Sequence, residues 1–453
     1  MIEKLENERI RIEPSDWRWS AAIVGISKYF DFLEKEGSFE KKLVITDEYI
    51  EFDPNEITEE SYLLFVENFF SENMHHLKVE DLLEIEEWTE DQNKQIVERL
   101  KANTIMKNSF KGVDIKNKEK LKDIIDKNRL EIIKQTYKGG RALYYNFCNE
   151  NNLFTERGKS CRVRGYSIDM GKKGKSTGFM RDKNSFVYTD SKYFDFIPFA
   201  FSKSREAFFI NNNFTIGQLI NSNKNEIIYT NENRENTIRS DLFFRTKESS
   251  NFIDYDVEIV KKDRENEYFE TIYLRDEAIR IFEKIDAQTQ KAIKRSIKIT
   301  DKNYWSIEYD VVSYIINLLN LDNIIEKLLK LKENYLIDNL IKINIIIYNK
   351  GGKMKEEQLK KIKQIRAITY SIRETLPSNK VRGYEQRLIS AISLKDYDRV
   401  QEILLHLSAT TQIKMEFLID LFTDFEGNKN LAYSFINLLG EKKDFRENKG
   451  DKK

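Results

Sequence analysis

Apolar residues recur every three or four positions over most of this chain, which is the spacing of one face of an α-helix. The first such stripe lies between a helix start signal at Asp16 and a helix end at Gly37. Residues 58–137 and 276–348 have the same spacing. The hydrophobic pattern therefore predicts a mainly helical protein.

Two regions depart from this spacing and predict strands. Leu43 to Phe52 has strand composition on both sides of a central Asp-Glu pair, which is typical of a hairpin. Residues 143–275 are rich in Phe, Tyr and Asn and predict irregular strands and loops. Their phenylalanines alternate as in strands, and we expect them to lie in the core. These are Phe194, Phe196, Phe199, Phe201, Phe208 and Phe209.

Beyond Gly351 and Gly352, five short apolar stripes predict a C-terminal bundle of helices. The fold class is therefore α+β and mainly helical, with an irregular mixed α/β N-terminal domain followed by the bundle. The predicted parts are 1–142 (mostly helical with a β-hairpin), 143–275 (strands and loops), 276–350 (a helical connector), 354–440 (the helical bundle) and 441–453 (a disordered tail).

Composition narrows the class of protein. No run of about eighteen apolar residues occurs, so no membrane partner is expected. The charged N-terminus lacks the apolar core of a secretion signal. Two cysteines and four prolines are typical of a reduced, intracellular protein. These features predict a cytoplasmic location.

Charge is concentrated in one glycine-rich segment, although the whole chain has a net charge of zero. Between Arg157 and Lys183 there are nine basic residues, two acidic residues and five glycines. Lys and Arg attract phosphate irrespective of sequence, and glycines let a backbone approach a groove. The segment predicts DNA contacts, with a solvated surface loop as the alternative. The predicted contact residues are Lys172, Lys173, Lys175, Ser176 and Arg181.

The C-terminal bundle begins with a second basic stretch. Residues 354–395 contain ten basic and four acidic residues, whereas residues 47–91 contain sixteen acidic residues and one basic residue. We expect the acidic region to face solvent or protein, because it repels phosphate. The residues predicted to hold a strand backbone are Lys361, Lys363, Arg366, Arg373, Lys380 and Arg382.

Three consecutive asparagines, Asn211, Asn212 and Asn213, follow the phenylalanine-rich block. Asn side chains pair with the edges of bases, but runs of Asn also form ordinary turns. The sequence leaves both interpretations open, and base readout is the functional one.

Few residues offer catalytic or metal chemistry. Residues 171–177 resemble a phosphate loop, but Asp169 stands where that pattern needs its first glycine. Cys148 and Cys161 are too few for a tetrahedral zinc site, and we expect them to be small core residues. The sequence therefore predicts no metal, no cofactor and no enzyme activity.

One catalytic alternative remains. Arg399 and His406 lie seven residues apart on a predicted helix, which is the spacing of the HEPN ribonuclease motif. Val400 departs from that motif, whose corresponding residue is usually polar. An exposed arginine and an ordinary histidine on a helix face would give the same spacing.

The opening RIEPSDWRWSAAIVGI, the hairpin VITDEYIEF and the block FDFIPFAFSKSREAFFINNN resemble the large subunit of the type I-B CRISPR Cascade complex. The match is to the branch named for paired CXXC motifs, and it covers the first two-thirds of the chain as ordered landmarks. Cys148 and Cys161 are two cysteines where the family name implies four. The resemblance therefore implies that the metal site is lost.

The resemblance implies a non-enzymatic subunit of an antiviral, RNA-guided ribonucleoprotein. Such a subunit senses the protospacer-adjacent motif on duplex DNA, helps R-loop formation and recruits the helicase-nuclease. The implied partners are the CRISPR guide RNA, the target double-stranded DNA, the Cascade backbone subunits, the small subunit and the helicase-nuclease. The alternative is a HEPN-like ribonuclease toxin or effector that uses Arg399 and His406.

The opening helix carries two tryptophans, Trp17 and Trp19, directly after its cap. One apolar stripe does not easily bury both rings. We expect one ring to pack in the core and the other to meet a neighbouring subunit or the 5' end of the guide RNA.

The small subunit is expected to come from the same gene. In an A/T-rich genome, the codons for residues 350–353 would contain a ribosome-binding sequence shortly before the codon for Met354. Internal initiation there would give a product from Met354 to Lys453. Met354 as an ordinary residue after a glycine linker is the alternative.

Overall fold

A computed structural model describes residues 2–5, 8–37, 43–140, 143–156, 162–164, 190–203, 206–224, 255–263, 269–300, 303–349 and 356–441. The described chain forms two compact units. The first unit comprises its described residues up to 224 together with 255–273, and the second begins at Leu274. Helices dominate both units and the sheets are small and antiparallel, which confirms a mainly helical α+β fold. The finer division into five parts stays a prediction.

The first unit contains eight described α-helices. They are α1 (Trp17–Lys35), α2 (Glu59–Phe69), α3 (His75–Leu83), α4 (Glu90–Leu100), α5 (Thr104–Ser109), α6 (Lys118–Gly139), α7 (Tyr144–Phe147) and α8 (Ile216–Ser222). Helices α3 to α6 form a cluster of their own around Val79, Ile96 and Leu121. The helical prediction for residues 58–137 is confirmed.

Helix α1 is the centre of the first unit. Asp16 caps it by accepting a hydrogen bond from the Arg18 backbone N–H at 2.8 Å. The helix is buried on nearly every side, so both tryptophan rings lie inside: Trp17 packs against Phe269 and Trp19 against Phe194, each at 4.6 Å between ring centroids. The prediction that one ring meets a partner is therefore wrong.

Helix α1 packs against a 3₁₀ helix, Lys192–Phe199, instead of the strand that the alternating phenylalanines predicted. The strand prediction is wrong here. This short helix is covered by protein on every side, so the alternation of its phenylalanines does not separate a buried face from an exposed one. Gly25 makes the close approach possible, since a Cβ at that position would overlap the carbonyl oxygen of Phe196. All six predicted core phenylalanines are buried, which confirms that part of the prediction.

Two antiparallel sheets flank this core. The first has the order β1-β2-β4-β3, with β1 (Ile2–Lys4), β2 (Ile10–Ile12), β3 (Val44–Ile45) and β4 (Ile50–Phe52). Strands β3 and β4 pair through Val44 and Glu51, which confirms the predicted hairpin. The second sheet has the order β5-β6-β7, with β5 (Glu206–Asn211), β6 (Val257–Asp263) and β7 (Phe269–Leu274).

The described part of the second unit begins with α9 (Asp276–Lys284), α10 (Ala287–Ile293), α11 (Ile307–Ile316), α12 (Asp322–Leu331) and α13 (Asn334–Tyr348). A short hairpin, β8 (Ser296–Lys298) with β9 (Tyr304–Ser306), interrupts the stretch that was predicted to be helical throughout. Ile297 is buried between two exposed neighbours and pairs with Trp305 across the hairpin, and this alternation is the period of a strand.

The five predicted C-terminal helices are present. They are α14 (Glu356–Thr375), α15 (Ser378–Ser393), α16 (Tyr397–Thr411), α17 (Phe417–Thr423) and α18 (Phe425–Gly440). Helix α18 is the hub, since it contacts α14, α15 and α17 and also α12 and α13. Met354 and the tail beyond Glu441 lie outside the described residues.

Candidate nucleic-acid interface

The predicted DNA-contact residues of the basic segment, Lys172, Lys173, Lys175, Ser176 and Arg181, lie outside the described residues, as does Cys161. The structure describes where this segment leaves and rejoins the protein. We call residues 162–164 the first stem and residues 190–199 the second stem. The contacts of these two stems show how the basic segment is attached to the first unit.

The first stem pairs with the chain just after α7. The Asn149 N–H donates to the Arg162 carbonyl oxygen at 2.7 Å, and the Arg164 N–H donates to the Phe147 carbonyl oxygen at 2.9 Å. Cys148 lies between these bonds, opposite Val163, and is fully buried. Burial raises the pKa of its thiol well above the ordinary value. Cys148 is a core residue, as predicted.

Arg162 on the first stem pairs with Asp190 and Asp195 on the second stem. We call these three buried charged residues the anchor. The Arg162 Nη1 donates to Asp195 Oδ1 at 2.6 Å, and its Nε lies 3.7 Å from Asp190 Oδ1. Its guanidinium also donates to the carbonyl oxygens of Asn152 and Thr155. The Arg162 side chain is fully buried.

Asp195 is the centre of the anchor. Besides Arg162, its carboxylate accepts hydrogen bonds from the Tyr144 hydroxyl at 2.5 Å and from the Phe154 N–H at 3.2 Å. Burial raises the pKa of Asp195 to about 6, and Arg162 opposes this rise because it stabilises the charged form. The acid is therefore ionised and paired at neutral pH.

The anchor was missed by the sequence reasoning. Arg162 was counted among the nine basic residues that attract phosphate, but its charge is used inside the protein. A lone Arg and an Asp thirty-three positions later give no local pattern. The signal that was present is the acidic residue inside the apolar run FDFIPF, because an aspartate there requires a buried partner.

The three asparagines are held differently from one another. Asn212 is fully buried; its Nδ2 donates to Ser222 Oγ at 2.9 Å and its Oδ1 accepts from the Tyr255 hydroxyl. Asn211 donates to Glu258 Oε2 at 2.7 Å and is also buried. We therefore no longer assign base contacts to Asn211 and Asn212, whose amides fix the end of β5. Asn213 is exposed and remains a candidate.

The six basic residues predicted in the bundle divide into three groups. Arg373 is mostly buried and donates to the carbonyl oxygens of Leu438 and Glu441, so it stabilises the C-terminal end of α18. Lys361 and Arg366 lie near carboxylates, at 2.9 Å from Asp420 and 3.6 Å from Asp338. The remaining three are exposed. They are Lys363, Lys380 and Arg382.

Lys380 also lines an open groove of about 680 Å³ between α15 and α16. Tyr384, Arg387 and His406 line the same groove, and the Tyr384 hydroxyl lies 2.8 Å from His406 Nδ1. Arg399 is not among the lining residues and forms a surface ion pair with Glu402. The structure therefore places His406 beside Lys380 and Arg387 and does not place Arg399 in that groove.

Within the described ranges, no group of three or more His, Cys, Asp or Glu residues has an arrangement that would hold a metal ion. No helix in that part of the chain is both long enough and apolar enough to cross a membrane. Neither finding extends to the basic segment or to Cys161, so the predictions of no metal and no cofactor stay predictions.

A family model described as CRISPR-associated protein Csx8 matches this chain in two overlapping segments, residues 9–242 and 223–439. Together the two segments include nearly all of the chain, with both stems and the C-terminal bundle. No curated protein and no solved structure matches it.

Proposed function

Because the chain belongs to the Csx8 family of CRISPR-associated proteins, we propose that it is the non-enzymatic large subunit of an RNA-guided surveillance complex. In this role it senses the protospacer-adjacent motif on duplex DNA, helps to open the duplex and recruits the helicase-nuclease. Its partners are the guide RNA, the backbone subunits and a small subunit. The resemblance of its opening helix, hairpin and phenylalanine block to a type I-B large subunit supports this role.

The anchor is the observation that carries the DNA contact. Burying a charged arginine costs free energy unless it is paired and hydrogen-bonded, as Arg162 is. The anchor joins Arg162 to Asp190 and Asp195, which flank residues 165–189 in the sequence, and so attaches both stems at one point of the first unit. A segment attached in this way is held where it can meet a duplex at a defined position, which supports the proposed DNA contact.

The exposed basic residues of the bundle support a second contact with nucleic acid. Lys363, Lys380 and Arg382 lie on α14 and α15, and Lys380 adjoins Arg387 in the groove. Such residues bind a strand backbone without reading its sequence. We assign them to the backbone of a separated strand.

The test is to neutralise Lys172, Lys173, Lys175 and Arg181 together and to measure target-duplex binding by the assembled complex over a range of salt concentrations. Each lost phosphate contact lowers the slope of log affinity against log salt by about one unit. We expect a fall of two to four units. The matched control neutralises four exposed lysines elsewhere: Lys101, Lys107, Lys111 and Lys120. An unchanged slope in the first variant would contradict phosphate contact by the basic segment.

RNA cleavage is the second candidate function, and the position of His406 beside Lys380 and Arg387 favours it. A ribonuclease would give metal-independent cleavage of labelled RNA that is lost in His406→Ala and kept in Glu402→Ala. The non-enzymatic role predicts intact RNA with every variant. Cleavage by the wild-type chain would therefore replace the proposed function with this one.

A further inference from the structure

A cavity of about 460 Å³ lies in the first unit, where α3 and α5 begin and α6 ends. No Lys, Arg, Asp or Glu side chain is among its described lining residues. Its volume is within the range of small-molecule sites in proteins, which is roughly 300–1,000 Å³. Six of the lining residues carry hydrogen-bonding side chains: Asn73, His75, Asn103, Thr104, Gln135 and Thr136.

These six side chains are used in two ways. Asn103 Nδ2 donates to Thr136 Oγ1 at 2.9 Å, and Asn103 Oδ1 accepts from the Met106 N–H at 2.9 Å, so this pair holds the start of α5 against α6. The side chains of Asn73, Thr104 and Gln135 form no hydrogen bond with another residue of the described chain. Their donors and acceptors are therefore available to a ligand.

An arginine without a carboxylate partner lies beside the cavity. The Arg99 Nη1 donates to Nδ1 of the lining residue His75 at 3.2 Å, and no carboxylate in the described ranges forms an ion pair with Arg99. Arg129 on α6, by contrast, pairs with Glu67 and Glu80. The positive charge of Arg99 is therefore available to an anion.

The bond from Arg99 also fixes the tautomer of His75. Because Nδ1 accepts this bond, the proton of the neutral imidazole lies on Nε2, which is a donor. Burial lowers the pKa of His75, and the charges of Arg99 and Lys78 lower it further. Burial and Arg99 also lower the pKa of Lys78, although Glu72 opposes this. The cavity is therefore bordered by positive charge and has a neutral imidazole donor in its wall.

We propose that this cavity binds a mononucleotide. The phosphate pairs with Arg99 and accepts from His75 Nε2, and the base pairs with the amides of Asn73 and Gln135. Arginine is suited to phosphate, and a single amide both donates to and accepts from the edge of a base. A long strand is disfavoured, because the sixteen acidic residues between positions 47 and 91 repel its many phosphates. Such a site is separate from the DNA contacts of the proposed function, and either can fail without the other.

Isothermal titration calorimetry of the full chain with each of the four ribonucleoside 5′-monophosphates tests the binding. At least one should bind to a single site, and the matching nucleoside should bind about tenfold more weakly because it lacks the phosphate. Arg99→Gln should weaken nucleotide binding by about tenfold or more, which is the loss expected for a hydrogen bond to a charged group. The matched control is Lys94→Gln, which removes an exposed cation from the same helix.

A second variant tests the base contact without changing the charge. Gln135→Leu should weaken binding of the same nucleotide by about fivefold or more, because it removes an amide that pairs with the base. Binding of inorganic phosphate should be the same in this variant as in the wild type. Gln95→Leu, at an exposed position of α4, is the control.

Hydrogen exchange then locates the site. Saturating nucleotide should slow the exchange of peptides that contain residues 73–78 and 135–140. Slower exchange only at residues 171–177, which resemble a phosphate loop, would overturn the proposal. It is also overturned if no mononucleotide binds, if only an oligonucleotide binds, or if Arg99→Gln and Lys94→Gln bind alike.

Discussion

The two units bury their polar groups for different purposes. The first unit packs rings against rings, as where the ring centroids of Phe199 and Phe65 lie 4.4 Å apart, and one group of its buried charges is the anchor at the stems. The second unit packs mainly aliphatic residues and places buried polar groups between helices. Asn344 Nδ2 donates to Asn430 Oδ1, and Lys429 pairs with Asp322. Buried polar groups therefore hold the stems together in the first unit and join α18 to α12 and α13 in the second.

This difference bears on the internal start at Met354. A product from Met354 to Lys453 would contain Lys429 and Asn430 but not Asp322 or Asn344, their partners on α12 and α13. Such a product needs another protein surface or water to satisfy these groups. Internal initiation stays a proposal, and its product would expose these groups to water unless a partner covers α18.

The largest expected effect is at the anchor. Asp195→Ala removes the carboxylate that lies 2.6 Å from the buried Arg162 guanidinium and leaves it only the more distant Asp190, at 3.7 Å. We expect the free energy of unfolding to fall by about 3–5 kcal/mol. Urea unfolding measures this loss of stability, and hydrogen exchange of the α1 amides shows whether the first unit is the one affected. The exposed ion pair offers the control, since Glu402→Ala should cost under about 0.5 kcal/mol. If both substitutions lowered the free energy of unfolding by similar amounts, burial would not explain the difference expected between the anchor and the exposed ion pair.

The pH dependence should come next in size. Burial raises the pKa of Asp195 from 3.8 to about 6, so the folded protein binds a proton that the unfolded chain releases. Stability from this group is therefore complete below about pH 4 and is lost as the pH rises through about 6. The stability of wild type relative to Asp195→Asn should fall by at most about 3 kcal/mol between these values. A constant difference across this range would contradict the raised pKa.

Two glycine substitutions compare the packing of the units directly. Gly25→Ala places a Cβ against the Phe196 backbone and should cost about 1–3 kcal/mol. Gly383→Ala on α15 has no atom within 4 Å of the new Cβ and should stabilise by about 0.5–1 kcal/mol, because alanine favours a helix. Thermal unfolding measures both. A stabilising effect of Gly25→Ala would show that α1 can move away from the 3₁₀ helix.

The sequence predicted burial better than it predicted geometry. Apolar spacing identified the helices and all six core phenylalanines, because burial depends mainly on residue type. It failed at Lys192–Phe199 and at Trp17, where an element surrounded by protein has no exposed face to give a period. The basic segment was visible as a local excess of charge, whereas the anchor joins residues that only the fold brings together.

The most direct test of the central claim is motif selection by the assembled complex. A target duplex with randomised bases beside the guide-complementary sequence is incubated with complex that contains or lacks this chain, and the bound DNA is sequenced. Enrichment of a short adjacent motif only when the chain is present is the predicted result. The same enrichment without the chain, or none with it, would contradict the claim that this protein senses the motif.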